Sequence, residues 1–167
     1  MGKVELVAVC KNHEDVEEAL HLLLDNGIDK DLITVLGKVK DDFELEKENE
    51  DIAFWGAVGA GWGAIVGLLV GAAISFVPGF GPIVGAGPLI SSLAGALGGA
   101  AVAGSVSALV AWLVDIGIEE AEAKRYEDLL KKGYYLILIE GKAALKAREL
   151  LEKLNKCELK SFNQEKE

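Results

Sequence analysis

The pattern of apolar and polar positions divides the chain into a long uncharged segment and two polar flanks. No Asp, Glu, Lys, Arg or His occurs from Ile52 to Val114, the range that we call the uncharged segment. A membrane-spanning helix needs about 20 apolar residues, so this segment is long enough for two spans and a turn. Its prolines, which end helices because they lack an N–H group, are Pro78, Pro82 and Pro88. We therefore predict a helical hairpin with helices at Ile52–Val77 and Leu89–Val114 and a turn at the three prolines.

Small residues recur at every fourth position in both predicted helices. This spacing places residues on one helix face, and small side chains there let two helix backbones approach closely. We predict a glycine-zipper packing ridge through which copies of the chain associate. Its members are Gly59, Gly63, Gly67, Gly71, Gly95, Gly99 and Ala103.

Tryptophans mark the two outer ends of the predicted hairpin. Trp55 is near the start of the first helix and Trp112 is near the end of the second. Aromatic side chains are enriched where a membrane meets water, so the pair favours a hairpin embedded in a bilayer. Tryptophan is also a common large core residue. The stretch from Asp41 to Asp51 has seven acidic residues and one lysine, so it lacks the excess of positive charge that orients membrane helices.

Two alternatives to a membrane-spanning hairpin remain open. Hairpins from several chains could pack together inside a water-soluble oligomer or cage, because protein buries all-apolar helices as well as lipid does. Such an assembly would bind a lipid or another apolar ligand. In the other alternative, the hairpin enters one leaflet of the bilayer without crossing it.

The polar flanks predict an α+β domain. The expected strands are Val4–Val9, Leu32–Leu36, Tyr134–Glu140 and Cys157–Phe162, and the expected helices are Val16–Gly27, Ile118–Lys132 and Lys142–Asn155. Without the helix at Ile118, the order is βαβ–βαβ, the split βαβ arrangement of ferredoxin-like domains. We therefore predict a ferredoxin-like soluble domain with an inserted glycine-zipper helical hairpin. Residues 1–51 form its first half and an acidic linker, residues 52–114 the hairpin, and residues 115–167 a connecting helix and the second half.

Three stretches of the sequence resemble a bacterial family. They are HEDVEEALHLLLDNGIDKDLITVLGK, PGFGPIVGAGPLISSLAGALGGA and LVDIGIEEAEAKRYEDLLKKGYYLILI. With them the chain resembles the glycine-rich general stress protein domain, also called heat-induced stress protein. The resemblance implies a small stress-associated protein with no established catalytic activity and no catalytic residues to transfer. The acidic stretch DDFELEKENED and the last helix and strand depart from that family's pattern.

The cysteines and a nearby histidine are the candidate metal ligands. Cys10 and His13 form a Cys-x-x-His at the end of the first strand. In a ferredoxin-like domain the last strand runs antiparallel to the first, which could bring Cys157 close to Cys10. These three residues could bind Zn²⁺ or Cu⁺, or the two cysteines could form a disulfide. We predict no metal, because the three residues are one ligand short of a closed tetrahedral site.

Charge and motif spacing exclude several classes of function. The net charge is −10, which opposes binding to nucleic acid phosphates. The glycine-rich GAVGAGWG lacks the Lys-Ser/Thr of a nucleotide-binding loop. The carboxylates between Glu44 and Asp51 stand in no defined relation to a His, Lys or nucleophile. We predict a non-enzymatic, stress-associated membrane protein without a cofactor, which binds itself and a lipid bilayer or apolar ligand. Its soluble domain would be cytoplasmic, and the whole protein would be cytoplasmic in the oligomer alternative.

Overall fold

The computed structural model describes residues 3–38, 69, 72–77, 80–90, 92–93 and 107–162. These residues form an α+β fold with one antiparallel sheet and four α-helices. The predicted α+β class is confirmed.

The elements follow one another in a βαβ, ββ, ααβ, αβ order. The strands are β1 (Val4–Cys10), β2 (Ile33–Lys38), β3 (Ala72–Val77), β4 (Gly81–Ala86), β5 (Tyr135–Glu140) and β6 (Cys157–Ser161). The α-helices are α1 (His13–Asp25), α2 (Ala108–Asp115), α3 (Glu120–Lys131) and α4 (Ala144–Leu154). Short 3₁₀ helices at Lys30–Leu32 and Gly141–Ala143 precede β2 and α4. The elements predicted in the two polar flanks therefore form, with bounds shifted by a few residues.

The sheet joins strands that are far apart in the sequence. Its order is β3-β4-β2-β5-β1-β6, and every neighbouring pair is antiparallel. The strand β1 lies between β5 and β6, both of which come from the end of the chain. The hairpin of β3 and β4 extends the sheet beyond β2, so part of the uncharged segment belongs to the same sheet as the polar flanks.

Helices α1 and α4 cover one face of the sheet, which we call the α1/α4 face. Alternate residues of a strand point to opposite faces; on β5, Ile137 and Ile139 point to this one. They pack against an apolar stripe of α1, formed by Val16, Ala19, Leu20 and Leu23, and against Ala147 and Leu151 of α4. The helix α1 begins after Asn12, whose side chain accepts a hydrogen bond from the Asp15 N–H over 2.9 Å.

Helices α2 and α3 cover the opposite face, which we call the α2/α3 face. Leu136 and Leu138 of β5 point to it and pack with both helices. The buried side chains of those helices include Leu109, Trp112 and Leu113 of α2 and Ala123, Tyr126 and Leu130 of α3. Ser107 caps α2 by accepting from the Val110 N–H, and it donates to the Glu127 carboxylate of α3 over 2.7 Å. Both faces of the sheet are thus covered by helices.

The first predicted helix, Ile52–Val77, is wrong at its end. Residues Ala72–Val77 form strand β3, which pairs with β4 from Ala72↔Ala86 to Val77↔Gly81. A continuous apolar run fits a buried strand as well as a buried helix. The prediction assigned a helix here, whereas the structure has a strand. The rest of that predicted helix lies outside the described residues, apart from Leu69, which forms a bend.

The second predicted helix, Leu89–Val114, is not one continuous helix. Residues 90, 92 and 93 are helical, but Ser107 is extended, with φ −74° and ψ 164°, and α2 begins only after it. A serine at this position favours a helix start, because its hydroxyl accepts a hydrogen bond from a free N–H of the first turn.

The membrane-spanning hairpin is therefore corrected. Among the described residues, no helix combines the length and the apolar character needed to cross a bilayer. Strand β4 (Gly81–Ala86) lies within the stretch predicted as its turn, and the helix at its end, α2, has 8 residues.

Candidate functional site

The predicted packing ridge cannot be placed. Its members Gly59, Gly63, Gly67, Gly71, Gly95, Gly99 and Ala103 all lie outside the described residues, as does Trp55. The glycine-zipper contact therefore stays a prediction. What the structure does place is the second half of the uncharged segment, from β3 to α2.

Trp112 lies in the protein core. Its side chain is only 1% exposed and belongs to the apolar cluster on the α2/α3 face. The indole Nε1–H donates a hydrogen bond of 2.9 Å to the Ser92 hydroxyl, which in turn donates to the Leu89 carbonyl over 2.8 Å. The polar group of the indole is thus satisfied within the protein, as a buried tryptophan requires. Trp112 is therefore a core residue, and its position does not support the assignment to a membrane interface.

The prolines do not connect two helices. Pro82 is in strand β4, opposite Phe76 of β3, and Pro88 is exposed after the strand ends. Pro78 lies outside the described residues. The three residues 78–80 connect β3 to β4, and Phe80 at this connection lies against Lys131 of α3, whose Nζ is 5.8 Å from the ring centre.

The turn after β4 fits tightly against β2. Gly87 has a φ of +123°, and an added Cβ there would come within 3.0 Å of the Ile33 carbonyl oxygen and the Thr34 Cα. The next residues are also held, because the Leu89 N–H donates to the buried Thr34 hydroxyl over 3.2 Å. This contact directs the chain from strand β4 to the α2/α3 face, where Leu89 and Ile90 are buried.

The two cysteines form a disulfide. Cys10 and Cys157 are directly opposite each other on β1 and β6, their Cα atoms are 4.5 Å apart, and their sulfurs are bonded. The two hypotheses for this pair were a metal site and a disulfide, and the structure shows the disulfide. His13 is the first residue of α1. Within the described ranges, no three or more His, Cys, Asp or Glu side chains are grouped to hold a metal ion.

Two buried polar atoms have no hydrogen-bond partner among the described residues, Glu140 Oε2 and Tyr126 Oη. Glu140 is 7% exposed, at the end of β5 and opposite Val4. Burial raises the pKa of its carboxyl. Burial also raises the pKa of Tyr126, and the negative charge of Glu122 raises it further. Neither residue could be singled out in the sequence, because their isolation is a result of tertiary packing.

The larger of two described surface clefts lies beside the start of α4. It has a volume of about 480 Å³ and an apolar floor that contains Ile28, Leu32 and Ala143. Lys142 and Lys146 line it as well, together with Asp29. Lys146 is held in place because its Nζ donates to the Asn26 carbonyl over 2.6 Å. The cleft therefore combines apolar surface with an excess of positive charge, in a chain whose net charge is −10.

A smaller cleft of about 280 Å³ lies on the other side of α4. Its lining includes Leu145, which is 73% exposed, and Phe162, which is 5% exposed. Arg148, which also lines it, hydrogen-bonds the Ser161 hydroxyl and pairs with Glu152 at 2.8 Å. The guanidinium of Arg148 is thus already paired with a carboxylate of the protein. This cleft therefore offers less unpaired positive charge to a ligand than the larger cleft does.

Comparison with known proteins adds no assignment. No protein-family model, no curated protein and no solved structure matches the chain.

Proposed function

We propose that this chain is a non-catalytic, water-soluble protein that assembles with copies of itself and buries its uncharged segment in protein. The carrying observation is the position of Trp112, which is buried against the sheet and bonded to Ser92. The strands β3 and β4 support the same proposal, because they continue the sheet of the polar flanks. Every described stretch of the uncharged segment longer than one residue thus contributes to a strand, a turn or a helix that packs on this sheet.

We further propose that the four strands from the flanks form a ferredoxin-like core. Their order β2-β5-β1-β6 and the placement of α1 and α4 on one face support this. In the split βαβ arrangement, each helix connects two parallel strands that are separated by a third. On this view the β3–β4 hairpin and helices α2 and α3 are additions, which extend the sheet and cover its second face. The stress-protein resemblance remains an expectation and would make assembly part of a stress response.

The test of self-assembly is the mass of the protein in buffer without detergent. The single chain has a mass of 17.7 kDa. We expect sedimentation equilibrium to give a multiple of this mass, with the protein recovered in the supernatant after an alkaline carbonate wash of the membranes. A chain that stays at 17.7 kDa at every concentration, or that needs detergent for release, would overturn the proposal.

We propose a cytoplasmic location for this assembly. The disulfide makes this proposal testable, because disulfides are rare in the cytosol of most organisms, although hyperthermophiles are an exception. Thiols should be blocked in intact cells before lysis, and the masses of the peptides carrying Cys10 and Cys157 measured. Blocked, separate peptides show a reducing compartment and agree with the proposal, whereas disulfide-linked peptides in a mesophilic host argue for an oxidising one.

The cleft at Lys142 and Lys146 favours a second candidate function, the binding of a small amphipathic anion. The apolar floor would take a hydrocarbon portion and the two ammonium groups a carboxylate, which is the usual division of roles in a ligand pocket. Titration calorimetry with decanoate and decanol tests this. We expect decanoate to bind the wild type, and Lys142→Gln to weaken it at least tenfold. The exposed Lys153→Gln is the control, and equal affinity for decanol would contradict the assignment.

A further inference from the structure

The two sulfurs of the Cys10–Cys157 disulfide differ in their access to solvent. Cys10 is 0% exposed and belongs to the apolar cluster on the α1/α4 face. Cys157 is only partly buried against that cluster. It is the first residue of β6, which stands at one end of the strand order of the sheet. The bond therefore joins a cysteine of the core to a cysteine at the edge of the sheet.

The direction of the bond adds to this difference. A thiolate attacks one sulfur of a disulfide in line with the S–S bond and displaces the other sulfur. Cys10 and Cys157 are paired across neighbouring strands, so the in-line approach to Cys157 comes from beyond β6, where the described part of the chain has no further strand. The in-line approach to Cys10 passes over β5, where Tyr135 is directly opposite Cys10 and packs in the same apolar cluster. An external thiol therefore has access to Cys157 and not to Cys10.

The pairing of β1 with β6 holds the two cysteines opposite each other by contacts other than the bond itself. Five consecutive residues of each strand are paired, and Cys10↔Cys157 is the last pair. Past the other end of this ladder, the Phe162 N–H donates to the Glu5 carbonyl over 2.8 Å. Reduction therefore leaves the two thiols side by side, and the bond can close again without a rearrangement of the fold.

We propose that this disulfide is a reversible exchange site for a small thiol of the glutathione type, with Cys157 as the residue that the thiol attacks. The first thiolate forms a mixed disulfide with Cys157 and releases the Cys10 thiolate. A second thiolate attacks the small-molecule sulfur of this mixed disulfide and releases the Cys157 thiolate. Two small thiols are thus oxidised to their disulfide, and their two electrons and two protons convert the protein disulfide to two thiols.

The same two residues carry the reverse reaction. The Cys157 thiolate attacks a small-molecule disulfide and releases one small thiol, and Cys10 then displaces the second from Cys157. Exposed disulfides are more easily reduced than buried structural ones, and the partial exposure of Cys157 gives this bond the access that exchange needs. Closing the bond restricts the unfolded chain, so the ratio of small disulfide to small thiol sets the stability of the protein. The inference goes beyond self-assembly and does not depend on it.

The first test compares the two single-cysteine variants of the full chain. Cys10→Ser keeps only the cysteine at the sheet edge, and Cys157→Ser keeps only the cysteine of the core. Both folded variants are incubated with glutathione disulfide, and their intact masses report the addition of one glutathione. We expect Cys10→Ser to react about tenfold faster or more, because a buried thiol reacts only when the structure opens locally. Equal rates, or a faster reaction of Cys157→Ser, would overturn the assignment of Cys157.

The second test uses the wild type and does not rely on the folding of a variant. Oxidised and reduced protein are equilibrated without denaturant at several ratios of glutathione to glutathione disulfide. We expect both to reach the same closed fraction at each ratio, and limiting iodoacetamide to label Cys157 of the reduced protein before Cys10. Labelling of Cys10 first, or a bond that stays closed or stays open at every ratio, overturns the inference. The sedimentation mass is a separate measurement, so self-assembly stands or falls independently of these results.

Discussion

The indole N–H of Trp112 donates a 2.9 Å hydrogen bond to the hydroxyl of Ser92. These residues come from opposite ends of what the hydrophobic pattern predicts as a single helix, Leu89–Val114. The chain leaves strand β4 at Gly87, and the bond holds Ser92 against the buried Trp112 of α2. It therefore shows how the end of the uncharged segment is folded against the sheet.

Breaking this hydrogen bond should destabilise the protein. Ser92→Ala removes the acceptor and leaves a buried indole N–H without a partner, which costs about 1–3 kcal/mol. Urea unfolding of Ser92→Ala, Trp112→Phe and the double variant measures the coupling between the two side chains. The control is Leu145→Ala at a 73% exposed position, for which we expect little change. Strictly additive effects of the two substitutions would contradict the contact.

The turn at Gly87 should tolerate alanine poorly. Gly87 and Gly141 both have a positive φ, at +123° and +49°, but an added Cβ meets backbone atoms of β2 only at Gly87. We expect Gly141→Ala to cost about 1 kcal/mol for the left-handed conformation alone. Gly87→Ala should cost about 3 kcal/mol or more. Equal unfolding midpoints for the two variants would show that the close approach to Ile33 and Thr34 is incorrect.

The disulfide should contribute measurably to stability. Cys10 and Cys157 are 147 positions apart, and a bond that closes so long a loop restricts the unfolded chain, typically adding about 2–4 kcal/mol. We expect reductant to lower the thermal midpoint of the wild type. The double variant Cys10→Ser, Cys157→Ser should have the lower midpoint already and show no response to reductant. A wild-type midpoint that is the same with and without reductant would contradict the prediction.

The buried carboxyl of Glu140 should make stability depend on pH. Burial raises its pKa in the folded protein, so the folded state binds the proton more tightly than the unfolded state does. The stability that protonation of Glu140 gives the folded state is fully present below the pKa of the unfolded state, about 4.3. It is lost as the pH rises through the pKa of the folded state. Glu140→Gln should therefore be more stable than the wild type at pH 7, and this advantage should shrink towards pH 4. An advantage that is the same at both pH values would disprove the assignment.

The elements of the polar flanks could be predicted from the sequence, because their apolar residues recur with a strand period or a helix period that can be told apart. The alternating and apolar residues of Val4–Val9 and Tyr134–Glu140 and the helical stripe after Asn12 identified β1, β5 and α1. The hairpin of β3 and β4 was missed, because a run of apolar residues has no period that separates a buried strand from a buried helix. A signal was available: two six-residue runs are separated by the three residues Pro78–Phe80, which include a glycine, a spacing typical of β-hairpins.

The candidate sites were less predictable than the elements. The proximity of Cys10 and Cys157 followed from the expected strand order, but the choice between a disulfide and a metal did not. The cleft at Lys142 and Lys146 joins residues from the α1–β2 connection to the start of α4, which no local pattern brings together. Glu140 occupies the last position of a strand, where a charged residue is ordinarily exposed, and only the tertiary structure shows that it is buried.

The position of β1 in the sheet also determines when the protein can fold during its synthesis. Both neighbours of β1 begin after residue 134, so this strand leaves the ribosome long before it can pair. The whole stretch from Ile52 to Val114, without a single charge, is synthesised during that interval. Unpaired strands and uncovered apolar surface make such intermediates prone to aggregate. Pairing of β1 can therefore begin only after β5 has been synthesised, and the aggregation-prone stage lasts until then.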